Sequence, residues 1–318
     1  MKTKYLCSVL PISLLLFTLL SCGNDDSKPN CDTFSQADSV CYCANHLDDA
    51  FCTTYASFGI SLFTEDQVTL TPHASNGTLW SKGFLIDDAI YLIDRESGSP
   101  HAFWKFDISE NDTWEERADF PGVDYGLTGS ANGRGYASSY ASNKFWEYDP
   151  TTNQWNPLTD LPFSPGETHW VEYKGKFYVP NNSGIYEFNA LTKKWNKISN
   201  QTSTDFGAVF LIGDDLYWYG INGDQMSRFN LADQSYELLD LPVDFGSNVA
   251  FNSPFVLGSR AYVVTSSSLW IFDKDSKTWS VDADAISEGS SYPDDVFVFD
   301  NKAYLTDNGY LKVFEGLD

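Results

Sequence analysis

The sequence has few basic side chains and very little histidine. Aspartate and glutamate outnumber lysine and arginine by 44 to 20, which gives a formal net charge of −24, and only four histidines occur in 318 residues. A surface of this charge repels the phosphates of nucleic acids. We therefore exclude nucleic acid as a partner. The excess of acid either serves solubility or attracts cations and basic partners.

Cysteine is missing from most of the chain, because all six cysteines lie at or before position 52. Cys7 lies within residues 1–21, and Cys22 directly follows them. In an exported chain, the remaining four predict two disulfides with three alternative pairings, and a metal knuckle that includes His46 is the alternative. These four are Cys31, Cys41, Cys43 and Cys52. We expect residues 31–64 to form a small Cys-rich segment.

Long apolar runs are also scarce, and the one at the N-terminus has the form of a targeting signal. Lys2 and Lys4 precede the apolar stretch 10–20, which is short for a spanning helix. The run ends in Leu-Leu-Ser-Cys-Gly, which resembles the lipobox of bacterial lipoproteins. The resemblance implies a signal peptide over 1–21, lipidation of Cys22 as a membrane anchor, and a linker over 22–30. An ordinary signal peptide with an incidental cysteine is the alternative.

The residues after Cys22 add a location to this prediction. No aspartate directly follows the cysteine, and an acidic pair, Asp25 and Asp26, comes three residues later. This arrangement resembles the surface-export signal of lipoproteins from Bacteroidota. It implies an outer-membrane lipoprotein on the cell surface, which we expect to be a monomer.

Two aromatic ladders run through the rest of the chain with one common spacing. A tyrosine follows a short apolar run six times, and a second ladder, mostly tryptophan, runs out of phase with it. Their spacing of about 40 residues is typical of a propeller blade of four strands. No segment has sustained helical periodicity, so residues 65–318 are predicted to be all-β. The ladders are Tyr91, Tyr136, Tyr178, Tyr217, Tyr262 and Tyr304, and Trp114, Trp155, Trp195, Tyr236 and Trp279.

One copy of the repeat resembles a known family closely. Residues 148–155 read Tyr-Asp-Pro-Thr-Thr-Asn-Gln-Trp, which is similar to the consensus of the kelch repeat. Asp149 is expected to close its turn with its side chain, and the flanking aromatic pair to pack between blades. Gly175 and Gly258 are expected to supply a positive φ in tight hairpins. The resemblance implies a six-bladed kelch-like β-propeller of the galactose oxidase/kelch superfamily.

The last repeat lacks its fourth strand, because the sequence ends soon after the third. Residues 66–72, just before the first repeat, have the length, alternation and terminal proline of that missing strand. We therefore predict that this N-terminal strand completes the last blade and closes the ring, which protects exposed sheet edges.

Acidic and aromatic residues recur where each innermost strand of a blade is predicted to begin. In one interpretation their carboxylates accept backbone hydrogen bonds in the turn before the strand. In the other they converge on the central channel as a binding rim, with His169 as the best single polar contact. Oxygen ligands of this kind suit Ca²⁺, at Asp124, Asp205 and Asp244. The rim comprises Asp124, Tyr125, Glu167, His169, Trp170, Asp205, Phe206, Asp244, Phe245, Tyr292, Asp294 and Asp295.

The sequence favours binding over catalysis. A copper site of the galactose oxidase type needs a Cys–Tyr crosslink, and no cysteine lies in the repeats. The sialic-acid mutarotase type is similar in repeat length, but its anionic substrate does not suit an acidic mouth. We assign no catalytic residue and no cofactor, and expect a module that binds glycan or protein. A mutarotase- or epimerase-like enzyme that uses Glu167 and His169 is the alternative.

Overall fold

The computed structural model describes fourteen stretches of the chain, all within its second compact unit, Gly59–Asp318. They are residues 63–69, 81–94, 100–108, 114–123, 126–140, 142–165, 169–201, 208–220, 224–242, 245, 254–264, 268–282, 295–307 and 310–314. The predicted signal peptide, the predicted linker and all six cysteines lie outside these residues. Within the described stretches there is no helix that could cross a membrane.

Five sheets are each built from four consecutive antiparallel strands that pair in chain order. The first contains β2 (Ser81–Ile86), β3 (Ala89–Asp94), β4 (His101–Asp107) and β5 (Trp114–Phe120). The second contains β6 (Thr128–Ala131), β7 (Arg134–Ser138), β8 (Phe145–Asp149) and β9 (Gln154–Pro157). The third contains β10 (Val171–Tyr173), β11 (Lys176–Asn181), β12 (Gly184–Asn189) and β13 (Lys194–Ser199). The fourth contains β14 (Ala208–Ile212), β15 (Asp215–Tyr219), β16 (Gln225–Asn230) and β17 (Tyr236–Asp240). The fifth contains β18 (Phe255–Leu257), β19 (Arg260–Val264), β20 (Leu269–Asp273) and β21 (Thr278–Asp282).

The sixth sheet joins the two ends of the described chain. It contains β22 (Asp295–Phe299), β23 (Lys302–Asp307) and β24 (Tyr310–Phe314), and its fourth strand is β1 (Phe63–Thr69). β1 runs antiparallel to β24, with Thr69 opposite Tyr310 and Phe63 opposite Phe314. An N-terminal strand thus pairs with the last repeat, as the sequence predicts. The strand begins three residues before the predicted segment, and a register shift between Thr64 and Val68 separates its two paired ends.

The innermost strands, which come first in each repeat, contact one another around a ring. β2 contacts β6 and β22, β10 contacts β6 and β14, and β18 contacts β14 and β22. A cluster of buried apolar side chains fills each of the six seams between neighbouring sheets. Every tyrosine of the first ladder lies in a different seam. The prediction of an all-β propeller is confirmed, and the tyrosine ladder marks the packing of each sheet against the next one.

The kelch-like aromatic pair packs between sheets, as the sequence predicts. Tyr148 and Trp155 lie 5.1 Å apart, and both rings contact Phe103 of the first sheet, at 4.8 and 5.0 Å between centroids. Trp155 Nε1 also donates to the carbonyl oxygen of Ala118, at 3.0 Å. Aromatic pairs in tilted and edge-to-face arrangements add to the stability that comes from their buried area.

The hairpins between the third and fourth strands share one construction in four sheets. A carboxylate or amide oxygen at the end of the third strand accepts the backbone N–H groups two and three residues later, which confirms the predicted role of Asp149. The equivalent acceptors are Asn189, Asn230 and Asp273. The last turn residue then has a positive φ in each case: Asn153, Lys193, Gln234 and Lys277.

Three of these four positive-φ residues reach back to the preceding sheet. Asn153 Oδ1 accepts the N–H of Ala118, at 2.9 Å. The ammonium of Lys193 lies 2.8 Å from Glu147 Oε1, and that of Lys277 lies 2.8 Å from a carboxylate oxygen of Glu237. Each of these three outer hairpins therefore connects its own sheet to the preceding one.

Candidate functional site

The binding rim was predicted at the end of the ring where the innermost strands begin. Four of its residues fall within the described stretches: His169, Trp170, Phe245 and Asp295. The others are Asp124, Tyr125, Glu167, Asp205, Phe206, Asp244, Tyr292 and Asp294, and they lie outside the described residues. The expected Ca²⁺ ligands belong to this second group, and His46 also lies outside the described residues.

Trp170 belongs to the seam between the second and third sheets. Its ring stacks on Phe177 with 4.2 Å between centroids and an interplanar angle of 19°. Its Nε1 donates to the carbonyl oxygen of Thr128, at 2.6 Å. Both the face and the polar edge of the indole are thus occupied within the protein. Trp170 thus has a packing role in this seam, and its contact with a ligand stays a prediction.

Phe245 is a core residue of the seam between the fourth and fifth sheets. Only 1% of its surface is exposed, and its ring lies 4.5 Å from that of Trp279 and 5.0 Å from that of Tyr219. The aromatic residue of this Asp-Phe-Gly triplet is therefore buried between two sheets. Its place on a binding rim is therefore corrected.

Asp295 is half-buried at the start of β22 and caps backbone donors. Its Oδ2 accepts the N–H of Gly83 at 2.8 Å, and its Oδ1 accepts the N–H of Val296 at 3.0 Å. Burial raises the pKa of this carboxyl to about 6, against the lowering effect of the nearby Lys82 charge and of the two backbone donors. This rim residue fits the first interpretation, in which the carboxylate organises the turn.

His169 is half-buried just before β10, and it is uncharged at neutral pH. Its pKa is lowered to about 3, mainly by burial and in smaller part by the positive charge of Lys82. Lys82 lies in the first sheet and His169 precedes the third, with the second sheet between them. The charge of Lys82 also lowers the pKa of Asp295 against the effect of burial, so it acts on groups of two other sheets.

Lys82 is the residue that sequence reasoning missed at this site. It is the one basic residue in the six innermost strands as the structure describes them. An isolated lysine in the otherwise apolar segment Ser81–Ile86 is the signal that could have identified it. The described part of the central site is therefore not purely acidic, because it combines an ammonium, a neutral imidazole and a carboxyl group.

A second feature that sequence reasoning missed is an exposed apolar pair at the same end of the ring. Tyr140 is 42% exposed and Val123 is 65% exposed. Buried serines hold the two loops together, because Ser139 Oγ donates to the carbonyl oxygen of Val123 at 2.5 Å and Ser138 Oγ accepts the N–H of Leu127 at 2.9 Å. These bonds fix the two loops relative to each other, so the backbone that carries Tyr140 and Val123 is ordered before any ligand arrives.

Metal-binding groups are not concentrated in the part of the chain that the structure covers. Among the described residues, no group of three or more His, Cys, Asp or Glu side chains is arranged to hold a metal ion. The Ca²⁺ site expected at Asp124, Asp205 and Asp244 remains a prediction.

Comparisons with known proteins agree on the fold. The kelch motif matches residues 134–162, which span the second to fourth strands of the second sheet. No curated protein matches the sequence. The structure of YjhT is similar over 80% of this chain and 95% of its own, with 14% sequence identity and a TM-score of 0.62. In all, 1136 chains of solved structures match, so the fold by itself selects no function. The motif and the structural similarity support a kelch β-propeller.

Proposed function

We propose that this protein is a binding module that recognises glycans, without catalysis, at the end of the ring where the innermost strands begin. The exposed ring of Tyr140 carries this proposal. A tyrosine supplies a flat apolar face for a sugar ring and a hydroxyl for hydrogen bonds, at a low cost in conformational entropy.

The surroundings of Tyr140 support a sugar ligand. Asn143 and Lys144 lie in the loop before β8, Asp160 follows β9, and all three are exposed. The N–H of Ser139, next to Tyr140, donates to the carbonyl oxygen of Lys144 at 3.0 Å, and Lys144 Nζ lies 2.9 Å from Asp160 Oδ2. The backbone N–H of Leu161 donates to the carbonyl oxygen of Asn143, at 2.8 Å, which joins this loop to the end of the sheet. Amide and charged groups beside an aromatic ring suit the hydroxyl groups of a glycan.

A glycan array with the purified full-length protein in detergent tests this proposal. We expect binding to a subset of glycans, and loss of most of that binding in Tyr140→Ala. Tyr236→Ala is a matched control, because Tyr236 is 37% exposed but lies on the outer strand of the fourth sheet. An array without signal, or equal binding by Tyr140→Ala and wild type, contradicts the proposal. Capture of an unglycosylated protein with the same Tyr140 dependence would indicate a protein ligand.

The location of the module is part of the proposal. The Leu-Leu-Ser-Cys segment that ends at Cys22 supports a lipid anchor in the outer membrane, with the propeller on the cell surface as a monomer. Cys22→Ser should release the protein from the membrane fraction. Protease treatment of intact cells should degrade the wild-type propeller if it is exposed, and light scattering of the purified protein should give the mass of one chain.

The pair of Glu167 and His169, two positions apart in the sequence, is the basis of one alternative function. His169 is uncharged at neutral pH, but its lowered pKa makes it a weak base, so in this alternative a bound substrate has to raise that pKa. A mutarotase- or epimerase-like enzyme would accelerate interconversion of sugar anomers or epimers. NMR of candidate sugars with the wild-type protein and His169→Gln tests this alternative, because only an enzyme of this kind gives a rate that falls in the variant.

A further inference from the structure

We propose that the hairpin between β11 and β12 forms a second sugar subsite, next to Tyr140, for an N-acetylated unit of a glycan chain. This inference rests on the proposed glycan binding at Tyr140. It names the class of glycan, which is a chain of two or more sugar units in which one unit carries an acetamido group.

The hairpin lies at the same end of the propeller as Tyr140, across one seam. In the seam between the second and third sheets, the aromatic rings of Tyr136 in β7 and Phe177 in β11 are 5.2 Å apart between centroids. Tyr140 and Asn181 each follow four residues later along the same two segments, and strands advance by about 3.3 Å per residue. Both residues therefore lie at the end of this seam where the innermost strands begin.

The loop after β9 connects the two hairpins. The N–H of Leu161 donates at 2.8 Å to the carbonyl oxygen of Asn143, which lies between β7 and β8. Phe163 of the same loop contacts Tyr186 of β12, with 5.0 Å between their ring centroids. Tyr186 Oη in turn lies 3.1 Å from Ser183 Oγ, in the hairpin between β11 and β12. These contacts form a continuous surface along which successive sugar units can lie.

Two hydroxyl groups of this hairpin have already used their hydrogens. Asn181 Oδ1 accepts both the N–H and the hydroxyl hydrogen of Ser183, each at 2.8 Å, which fixes the orientation of the amide. Because a serine has one hydroxyl hydrogen, Tyr186 is the donor in its bond to Ser183 Oγ. Neither hydroxyl therefore has a hydrogen left for a ligand.

The amide of Asn181 keeps a donor group that is not used. Only 1% of Asn181 is exposed, and within the described stretches its Nδ2 makes no hydrogen bond. Val179, two residues earlier in β11, belongs to the apolar cluster between the second and third sheets, so strand alternation directs the amide toward this seam. An enclosed N–H group without a partner is unfavourable. An acceptor oxygen of a ligand would remove this cost.

Lys197 adds a second donor beside the same hairpin. It is exposed, and it lies opposite Tyr186 on β13. A Cβ atom at Gly184 would lie 3.3 Å from Lys197 Nζ, so the ammonium is next to the hairpin backbone. A neutral amide and an ammonium are thus present as donors, and the ligand has to supply acceptor oxygens.

An acetamido group is the sugar substituent that suits these donors. Its carbonyl oxygen projects from the sugar ring, so it reaches further toward an enclosed donor than a ring hydroxyl does, and it accepts two hydrogen bonds. It carries no charge. The formal net charge of −24 therefore does not oppose its binding, whereas it opposes the carboxylate of an acidic sugar.

A glycan array that contains chains of graded length tests the subsite with the full-length protein in detergent. We expect N-acetylated chains of two or more units to bind about tenfold tighter than the same chains without the acetyl group, which is the effect of one hydrogen bond. Titration calorimetry of the best array ligand and of its one-unit fragment gives the affinities. A preference for unacetylated or acidic chains, or no gain in affinity with chain length, overturns the inference.

Variants separate this subsite from the site at Tyr140. Asn181→Asp keeps the acceptor oxygen for Ser183 and removes the donor, so it should weaken binding of the N-acetylated chain about tenfold and leave the one-unit fragment unchanged. Asn189→Asp is the matched control, because Asn189 lies at the opposite end of the same sheet and its Oδ1 accepts backbone N–H groups. This control should bind both ligands like the wild type.

A second variant keeps the test valid if Asn181→Asp does not fold. Ser183→Ala removes the hydroxyl that contacts both Asn181 and Tyr186, and it should weaken binding of the same chain. Retained binding of the one-unit fragment shows that a variant is folded. Wild-type affinity for the chain in both variants overturns the inference and leaves glycan binding at Tyr140 intact. An array without signal, or wild-type binding by Tyr140→Ala, contradicts the proposed function itself.

Discussion

The backbone N–H of Gly83 donates a hydrogen bond of 2.8 Å to Oδ2 of Asp295, and it thereby joins the first sheet to the sixth. The carboxyl group that accepts this bond has a pKa raised to about 6 by burial. A group of this kind favours the protonated state in the folded protein. Its contribution to stability is complete below the unfolded pKa of about 3.8 and is lost as the pH rises through 6.

Asp295→Asn should remove this contribution to the pH dependence of stability. The difference in unfolding free energy between wild type and variant is measured by urea denaturation from pH 4 to pH 8. We expect wild type to lose on the order of 3 kcal/mol relative to the variant as the pH rises, because each unit of pKa shift corresponds to about 1.4 kcal/mol. A difference that stays constant with pH would show that Asp295 titrates as an ordinary carboxyl.

Glu147→Ala should destabilise the seam between the second and third sheets. Glu147 accepts a hydrogen bond from Tyr136 Oη at 3.0 Å and pairs with Lys193 at 2.8 Å. Its loss leaves a buried tyrosine hydroxyl without a partner, which costs about 2 kcal/mol.

The matched control for Glu147→Ala is Asp160→Ala, which breaks an ion pair with Lys144 in which both side chains are at least half exposed. Such pairs contribute about 0.5 kcal/mol. Denaturation midpoints compare the two variants. Equal effects would mean that Glu147 has no special role at the seam.

Gly135→Ala and Gly133→Ala separate a steric clash from backbone strain. A Cβ atom at Gly135 would overlap the ring of Phe84 in the neighbouring sheet. One at Gly133 would meet nothing within 4 Å, but Gly133 has a φ of 70° in a tight hairpin. We expect a loss of about 3 kcal/mol for Gly135→Ala and about 1 kcal/mol for Gly133→Ala. Thermal unfolding measures the loss of stability in both variants. A larger loss in Gly133→Ala than in Gly135→Ala would show that backbone strain in the turn costs more than the steric clash.

Deletion of β1 should destabilise the whole propeller and not only its end. Without Phe63–Thr69, β24 would lose its ladder partner and become an exposed edge. The deletion variant should unfold at a clearly lower temperature in one cooperative transition. An unchanged melting temperature would show that the sixth sheet is stable with three strands.

Features with a local cause were predictable from the sequence. Asp149 closes its own turn through bonds to neighbouring N–H groups, so residues 148–155 were enough to predict it. The fate of Trp170 and Phe245 depends on which side of an inner strand meets the next sheet, and the local sequence does not contain that information. Lys82 was missed for a related reason: its charge acts on His169 and Asp295, which belong to other sheets.

The outer hairpins allow the contact between each pair of neighbouring sheets to change independently of the other contacts. Lys193 and Lys277 occupy turn positions with a positive φ, and the ammonium of each pairs with a carboxylate of the preceding sheet. A glycine at either position would remove the backbone strain of the turn, and it would also remove the ion pair with the preceding sheet. The backbone strain of the turn and the ion pair between sheets therefore have opposite effects on stability at these residues. A substitution at either position can change the contact between two sheets without any change to the buried aromatic core.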